Sequence, residues 1–175
     1  MIDEFMNDLD DELKERLLTR FNEAKRYGGE TPLQWFNESE AEGFCLGYAE
    51  VFGDRDVDKF LFRYKDTEYM VDDQYCSDPE CKCNEVILTF IEIISGKAAQ
   101  EPKFVIRMPL GAGRYEVEYN QQLNRGDMND ILQCFKEHMG NDFSLLKNRY
   151  KKMKEFGAMR LKQKKQKQAS PLLTA

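Results

Sequence analysis

The sequence predicts an α+β domain in which an antiparallel sheet of four to five strands packs against N-terminal and C-terminal helices. Three observations carry that expectation. Apolar residues recur at three- and four-residue steps near both ends of the chain, the period of a helix with one buried stripe. Between Lys59 and Asn120 the texture changes to aromatic and β-branched runs, which suit a half-buried pleated surface. The breaks between those runs are short, and short connections favour antiparallel neighbours.

Taken in order, Ile2, Phe5, Met6, Leu9, Leu13, Leu17, Phe21 and Ala24 form the first stripe. Lys25-Arg26 suits a helix carboxyl end, and Gly28-Gly29 can take the left-handed conformation that a terminus often needs. Thr31-Pro32 reads as a cap followed by proline at the first helical position. A second helical face follows at Phe44, Cys45, Tyr48 and Phe52, ending near Gly53-Asp54, and within it Cys45 reads as a buried core thiol. Phe60 to Tyr64 and Tyr69 to Val71 flank the polar turn Lys65-Asp66-Thr67 as a hairpin. Glu85 to Ile94, Lys103 to Met108 and Arg114 to Tyr119 are three further strands, separated by Ser95-Gly96 and by Pro109 to Gly113. Met128, Ile131, Leu132, Phe135 and Met139 restore the helical period, with Asn124 or Asp127 as cap and Gly140 as stop. Phe143, Leu146, Tyr150 and Met153 mark the last helix.

The chain has 175 residues, enough for one core but not two full-sized ones. Residues 1–157 are expected to form the single α+β domain, and residues 158–175 a flexible basic tail, because Lys162 to Gln168 offers nothing apolar to bury. The formal charge of -6 averages two unlike pieces. Lys147 to Lys167 carries ten Lys or Arg against the single acid Glu155, so the remainder is strongly acidic. An acidic body disfavours general binding to nucleic acid, whereas the tail can attract phosphate or an acidic protein partner. No apolar run approaches the roughly 20 residues of a membrane helix, and the acidic start Met1-Ile2-Asp3-Glu4 does not match a secretory signal, so a cytoplasmic protein without a membrane partner is expected.

The strongest chemical signal lies between two strands. Tyr75-Cys76-Ser77-Asp78-Pro79-Glu80-Cys81-Lys82-Cys83 gathers three of the five cysteines into eight residues. A tight loop can bring three thiolates to one point, and tetrahedral zinc takes four ligands at about 2.0 to 2.3 Å. In a reducing compartment, and with an odd number of cysteines, a metal is favoured over a disulfide scaffold. Cys76, Cys81 and Cys83 are therefore expected to hold zinc. His138, one turn from Cys134 and beside the buried stripe of its helix, is the first choice for fourth ligand, followed by Cys134 and then Asp72 or Asp73. An iron-sulfur cluster completed by Cys45 or Cys134 is an alternative, as are free thiols packed as small apolar groups.

The same run, continued through Asn84-Glu85-Val86, resembles a set of poorly characterised bacterial proteins whose Tyr-Cys-x-x-Pro-x-Cys-x-Cys loop leads into an apolar strand. Members of that set often end in an SEC-C zinc motif. Asn148 to Lys154 with Glu155-Phe156-Gly157 also looks like the helix that precedes that module. The resemblance implies metal binding and a bacterial setting. It implies no reaction, and because no cysteine follows Cys134 the terminal module and its partners do not carry over.

No catalytic residue is assigned. The loop lacks the His-x-Glu and Pro-Cys-x-x-Cys arrangement of zinc deaminases, and nothing matches the two-histidine helix of metalloproteases. Pro109 to Arg114 lacks the Gly-Lys-Ser/Thr ending of a phosphate loop and reads as a turn. The expected activity is that of a zinc-stabilised module binding a macromolecule, either protein or, weakly, nucleic acid through the tail. A metal-dependent hydrolase or thiol enzyme, and a Cys81–Cys83 redox switch, are the alternatives.

Overall fold

Alternation organises the molecule. In the strand β3 (Thr67–Cys76), Tyr69, Val71, Asp73 and Tyr75 are buried while their neighbours are half-exposed, so one face of the sheet carries the core. The computed structural model describes residues 13–16, 19–20, 45–53 and 56–169. Within them β1 (Cys45–Gly47) leads into α1 (Tyr48–Phe52) and α2 (Val57–Phe60), then β2 (Leu61–Tyr64), β3, β4 (Glu85–Ile94), β5 (Lys97–Ala98), β6 (Phe104–Pro109) and β7 (Glu116–Asn120). Two helices close the chain, α3 (Arg125–His138) and α4 (Ser144–Ala169).

The sheet is antiparallel and of seven strands, ordered β1-β3-β4-β6-β7, with β2 sharing the β1 edge of β3 and β5 pairing with the end of β4. The α+β expectation with helices from the carboxyl-terminal end holds. Two short strands, β1 and β5, raise the strand number above the expected four to five. Residues 13–16 and 19–20 are helical, as the first stripe requires, while the rest of that stripe and the Thr31-Pro32 cap lie outside the described residues.

Local chemistry accounts for the joints. Lys65 at φ 54° turns the β2–β3 hairpin, and Ser95-Gly96 at φ 52° and 75° turns β4 into β5, the paired positive angles of a tight two-residue hairpin. The Asn124 side chain accepts from the Asp127 backbone N–H at 2.9 Å and caps α3.

The covered face joins Val86, Leu88 and Phe90 of β4 to Phe104, Ile106 and Met108 of β6. Phe135 of α3 sits against Phe62 and Phe90, and Phe90 stacks on Phe104 with centroids 4.3 Å apart. At the other end Tyr48 of α1 meets Tyr75, and Phe52 meets Phe156 of α4. Burying one such aromatic stabilises the fold by roughly 1.5–3 kcal/mol.

Two expectations are corrected here. Cys45 is on a strand rather than a helix, and it is exposed rather than a core thiol, because pairing with β3 holds 45–47 extended before Tyr48 starts the helix. α4 runs for 26 residues straight through position 157, so residues 158–169 continue the helix rather than starting a tail without secondary structure. Ala, Met, Arg, Leu, Lys and Gln, which fill that stretch, are all strong helix formers, and a helix already docked through Phe156 is extended by them at little cost.

Candidate metal centre

The loop between β3 and β4 is shaped by Asp78-Pro79. Proline presets the turn, the Asp78 side chain accepts from the Glu80 N–H at 2.9 Å, and the Asp78 carbonyl accepts from the Cys81 N–H at 3.3 Å. Cys81 is thereby folded back towards Cys76 at the end of β3. The Cys83 N–H then donates to the Cys81 sulfur at 3.4 Å, which wraps the third cysteine round the same point.

The result is that the sulfurs of Cys76, Cys81 and Cys83 all lie within 4.8 Å of one another. Three sulfurs on tetrahedral zinc, at about 2.3 Å from the metal, stand about 3.8 Å apart. The three cysteines are therefore grouped so that they could hold a metal ion.

α4 forms the opposite wall. Lys154 Nζ donates to the carbonyls of Asp78 at 2.6 Å and Cys81 at 3.1 Å, and lies 3.6 Å from the Cys76 sulfur and 3.8 Å from that of Cys83. The Tyr150 hydroxyl, one turn earlier, donates to the Cys83 carbonyl at 2.5 Å. One turn of helix thus grips the loop at both its ends. Gly157 completes the contact, since a Cβ there would stand 1.6 Å from the Ser77 carbonyl oxygen.

Charge is distributed unevenly over the sulfurs. Hydrogen bonds from the Cys83 backbone, from the Cys83 side chain and from Cys76 hold the Cys81 thiol below its ordinary value, with Lys154 adding to the pull. Burial, with hydrogen bonding to Cys81 and Cys76, pushes Cys83 up to about 12. Lys154 is held above its ordinary value; burial opposes its charge, and Cys76, Cys83, Tyr150 and Cys81 together outweigh that penalty.

The structure does not bring His138 to this group. Its Nε2 is 2.7 Å from the Asp58 carbonyl and its ring is 6.3 Å from that of Phe62. Cys134 likewise lies apart, with its sulfur 3.5 Å from the Arg63 carbonyl. Phe62 and Arg63 pair with Tyr69 and Glu68, seven and eight residues along β3 from Cys76, a separation of roughly 25 Å. His138 is exposed, and the helical stripe carries no information about which end of the sheet α3 covers.

Asp73 is also committed elsewhere. It is buried, ion-paired to Arg149 at 2.8 Å, and accepts from the Tyr75 hydroxyl at 2.5 Å. Burial pushes its carboxyl up, against the lowering pull of Arg149 and Tyr75. Arg149 lies between the rings of Tyr48 and Phe60, 4.3 and 4.2 Å from their centroids, and its second nitrogen reaches Asp56 at 3.2 Å. Asp72 points to the other face and accepts from Gln74 at 3.3 Å.

No family model, curated protein or solved structure matches the chain.

The sequence places Tyr150, Lys154 and Gly157 on the last helix but gives none of them a role at the cysteine loop. Their signal was present: Tyr150, Lys154 and Gly157 fall at steps of four and three, on one side of the last helix. The sequence offers Cys45 as a buried core thiol or as the completing ligand of an iron-sulfur cluster. In the sheet it is the cross-strand partner of Cys76. Partial desolvation beside its neighbours raises its thiol although the residue is exposed overall, and the charges of Cys76, Glu118 and Cys81 act in the same direction against Arg107.

Proposed function

We propose that this protein holds one structural zinc ion on Cys76, Cys81 and Cys83, and that the ion locks the β3–β4 loop onto α4 to form a rigid surface for a macromolecular partner. The grouping of three sulfurs within 4.8 Å is the observation that carries this reading. The neighbours of the sulfurs support a structural over a hydrolytic role. The Lys154 ammonium stands against two of the sulfurs and, with the Tyr150 hydroxyl, holds the loop carbonyls, whereas a hydrolytic zinc works with a carboxylate or imidazole base beside its water. Free thiols spaced for metal suit a reducing compartment, and we place the protein in the cytoplasm.

The partner reading follows α4. Beyond Gly157 that helix carries Arg160, Lys162, Lys164, Lys165 and Lys167 without an acid, on about 18 Å of rigid rod as far as Ala169. Such a rod suits an acidic protein surface or, more weakly, nucleic acid phosphates.

Elemental analysis of protein purified without added metal tests the first half, and the salt dependence of binding to an acidic polymer tests the second. One zinc per chain in a colourless sample, with binding that falls steeply with salt, is the expected result. Iron with sulfide would transfer the site to electron transfer. Zinc-free protein in which Cys81 and Cys83 pair on mild oxidation would make it a thiol redox switch. Salt-insensitive binding would remove α4 as the contact.

A further inference from the structure

Three sulfurs leave a tetrahedral ion one ligand short, and the sheet register supplies a candidate that loop spacing does not. β1 runs antiparallel to β3 with Cys45 opposite Cys76, Leu46 opposite Tyr75 and Gly47 opposite Gln74. Directly opposed residues share a face, with Cα atoms about 4.5 to 5.5 Å apart. Leu46 and Tyr75 are both buried, so Cys45 and Cys76 alternate away from them and share a face with each other, at the end of the sheet where the cysteine loop begins and where Lys154 of α4 reaches the Cys76 sulfur.

We infer that Cys45 is the fourth ligand and closes a four-thiolate site, an inference that rests on the metal reading above. The Cys45 sulfur stands outside the group of three in this structure. A cross-strand Cβ pair at about 5 Å is nonetheless compatible with the separation of about 3.8 Å between two sulfurs on tetrahedral zinc, so side-chain rotation can bring Cys45 in. The other soft or borderline donors, Cys134 and His138, stand roughly 25 Å away along β3.

The charges are consistent with the chemistry. Four thiolates on a divalent ion leave two negative charges, and binding releases the protons of those thiols that were not already ionised. Lys154, next to two of the sulfurs, offsets one of those charges from the outer shell, where hydrogen-bond donors to ligands tune affinity. A site closed in this way has no position for a catalytic water. It also ties the strand that precedes α1 to the loop that grips α4, so that one ion cross-links three parts of the chain.

Cobalt(II) in place of zinc, bound to the full chain, is the test. The sulfur-to-cobalt charge-transfer intensity counts thiolates. Wild-type protein should show four. Cys45→Ser should lose about a quarter of the intensity, one thiolate of four, and bind zinc at least tenfold more weakly. Cys134→Ser and His138→Ala should leave both unchanged.

Zinc X-ray absorption on wild-type protein gives the sulfur count without any substitution, so a variant that fails to fold does not leave the question open. Three sulfurs and one lighter ligand, with Cys45→Ser indistinguishable from wild type, would overturn the assignment of Cys45 and leave the metal reading standing. Wild-type protein that binds neither ion would overturn the metal reading itself.

Discussion

Gly157 lies directly on the Ser77 carbonyl. A Cβ built there would meet the oxygen at 1.6 Å and the carbonyl carbon at 2.7 Å, and both are backbone atoms that cannot swing away. In an exposed helix, glycine to alanine stabilises by about 1 kcal/mol. Here the sign reverses. Gly157→Ala should destabilise by about 1–3 kcal/mol or push the loop off α4, as overpacking does. Thermal unfolding together with metal content reads this, and an alanine variant as stable as wild type with full metal content would show that the contact is looser.

The Arg149–Asp73 pair is buried at both ends, so removing one partner strands the other. Arg149→Met is expected to cost about 3–5 kcal/mol, and Arg149→Met combined with Asp73→Leu considerably less than the sum of the two single changes. Denaturant unfolding of the singles and the double measures the coupling. Strict additivity would mean that the two side chains act independently.

In metal-free protein the cysteine loop should react in a defined order. The Cys81 thiol is held below its ordinary value and Cys83 is pushed up to about 12, so alkylation near neutral pH should reach Cys81 well before Cys83. Lys154→Met removes a cation that favours the thiolate and should slow Cys81. Peptide mapping by mass spectrometry after timed alkylation decides the order. Equal rates would contradict the asymmetry.

Alkaline stability should fall in a predictable window. Burial, then the charge and hydrogen bond of Glu92, push the Tyr69 phenol up to about 12, and burial with Asp73 raises Tyr75 well above its ordinary value. The native state keeps both protons where the unfolded chain, with phenols near 10, has lost them. The contribution of Tyr69 is therefore complete below about pH 10 and is lost as the pH rises through its folded value of about 12, and that of Tyr75 is lost in the same direction. Circular dichroism alongside tyrosinate absorbance should show unfolding and phenol ionisation together in that window. Phenols that all titrate near 10 with the fold intact would refute it.

Much of the fold was legible because its cues are local. Tyr69, Val71, Tyr75, Val86, Leu88 and Phe90 alternate with half-exposed neighbours, and Met128, Ile131 and Phe135 recur at helical steps, so each face could be read within one segment. Strand β1 was not legible, because three residues followed at once by α1 share one apolar pattern with a longer helix. From the sequence Asp73 is no more than a candidate zinc ligand beside Asp72. Only a partner 76 residues away, Arg149, makes it a core residue.

The sequence by itself determined that three cysteines share one tight turn, since they fall within eight residues around the turn-forming Asp78-Pro79. It determined equally that sheet and helix alternate as they do. Tertiary structure alone decided what surrounds those sulfurs. Strand register set Cys45 opposite Cys76, the seating of α4 brought Lys154 to the cluster, and the placement of α3 took His138 to the far end of the sheet. Spacing along a chain fixes distances only within a segment, whereas distances between segments depend on how their buried faces pack, and that is a property of the whole core.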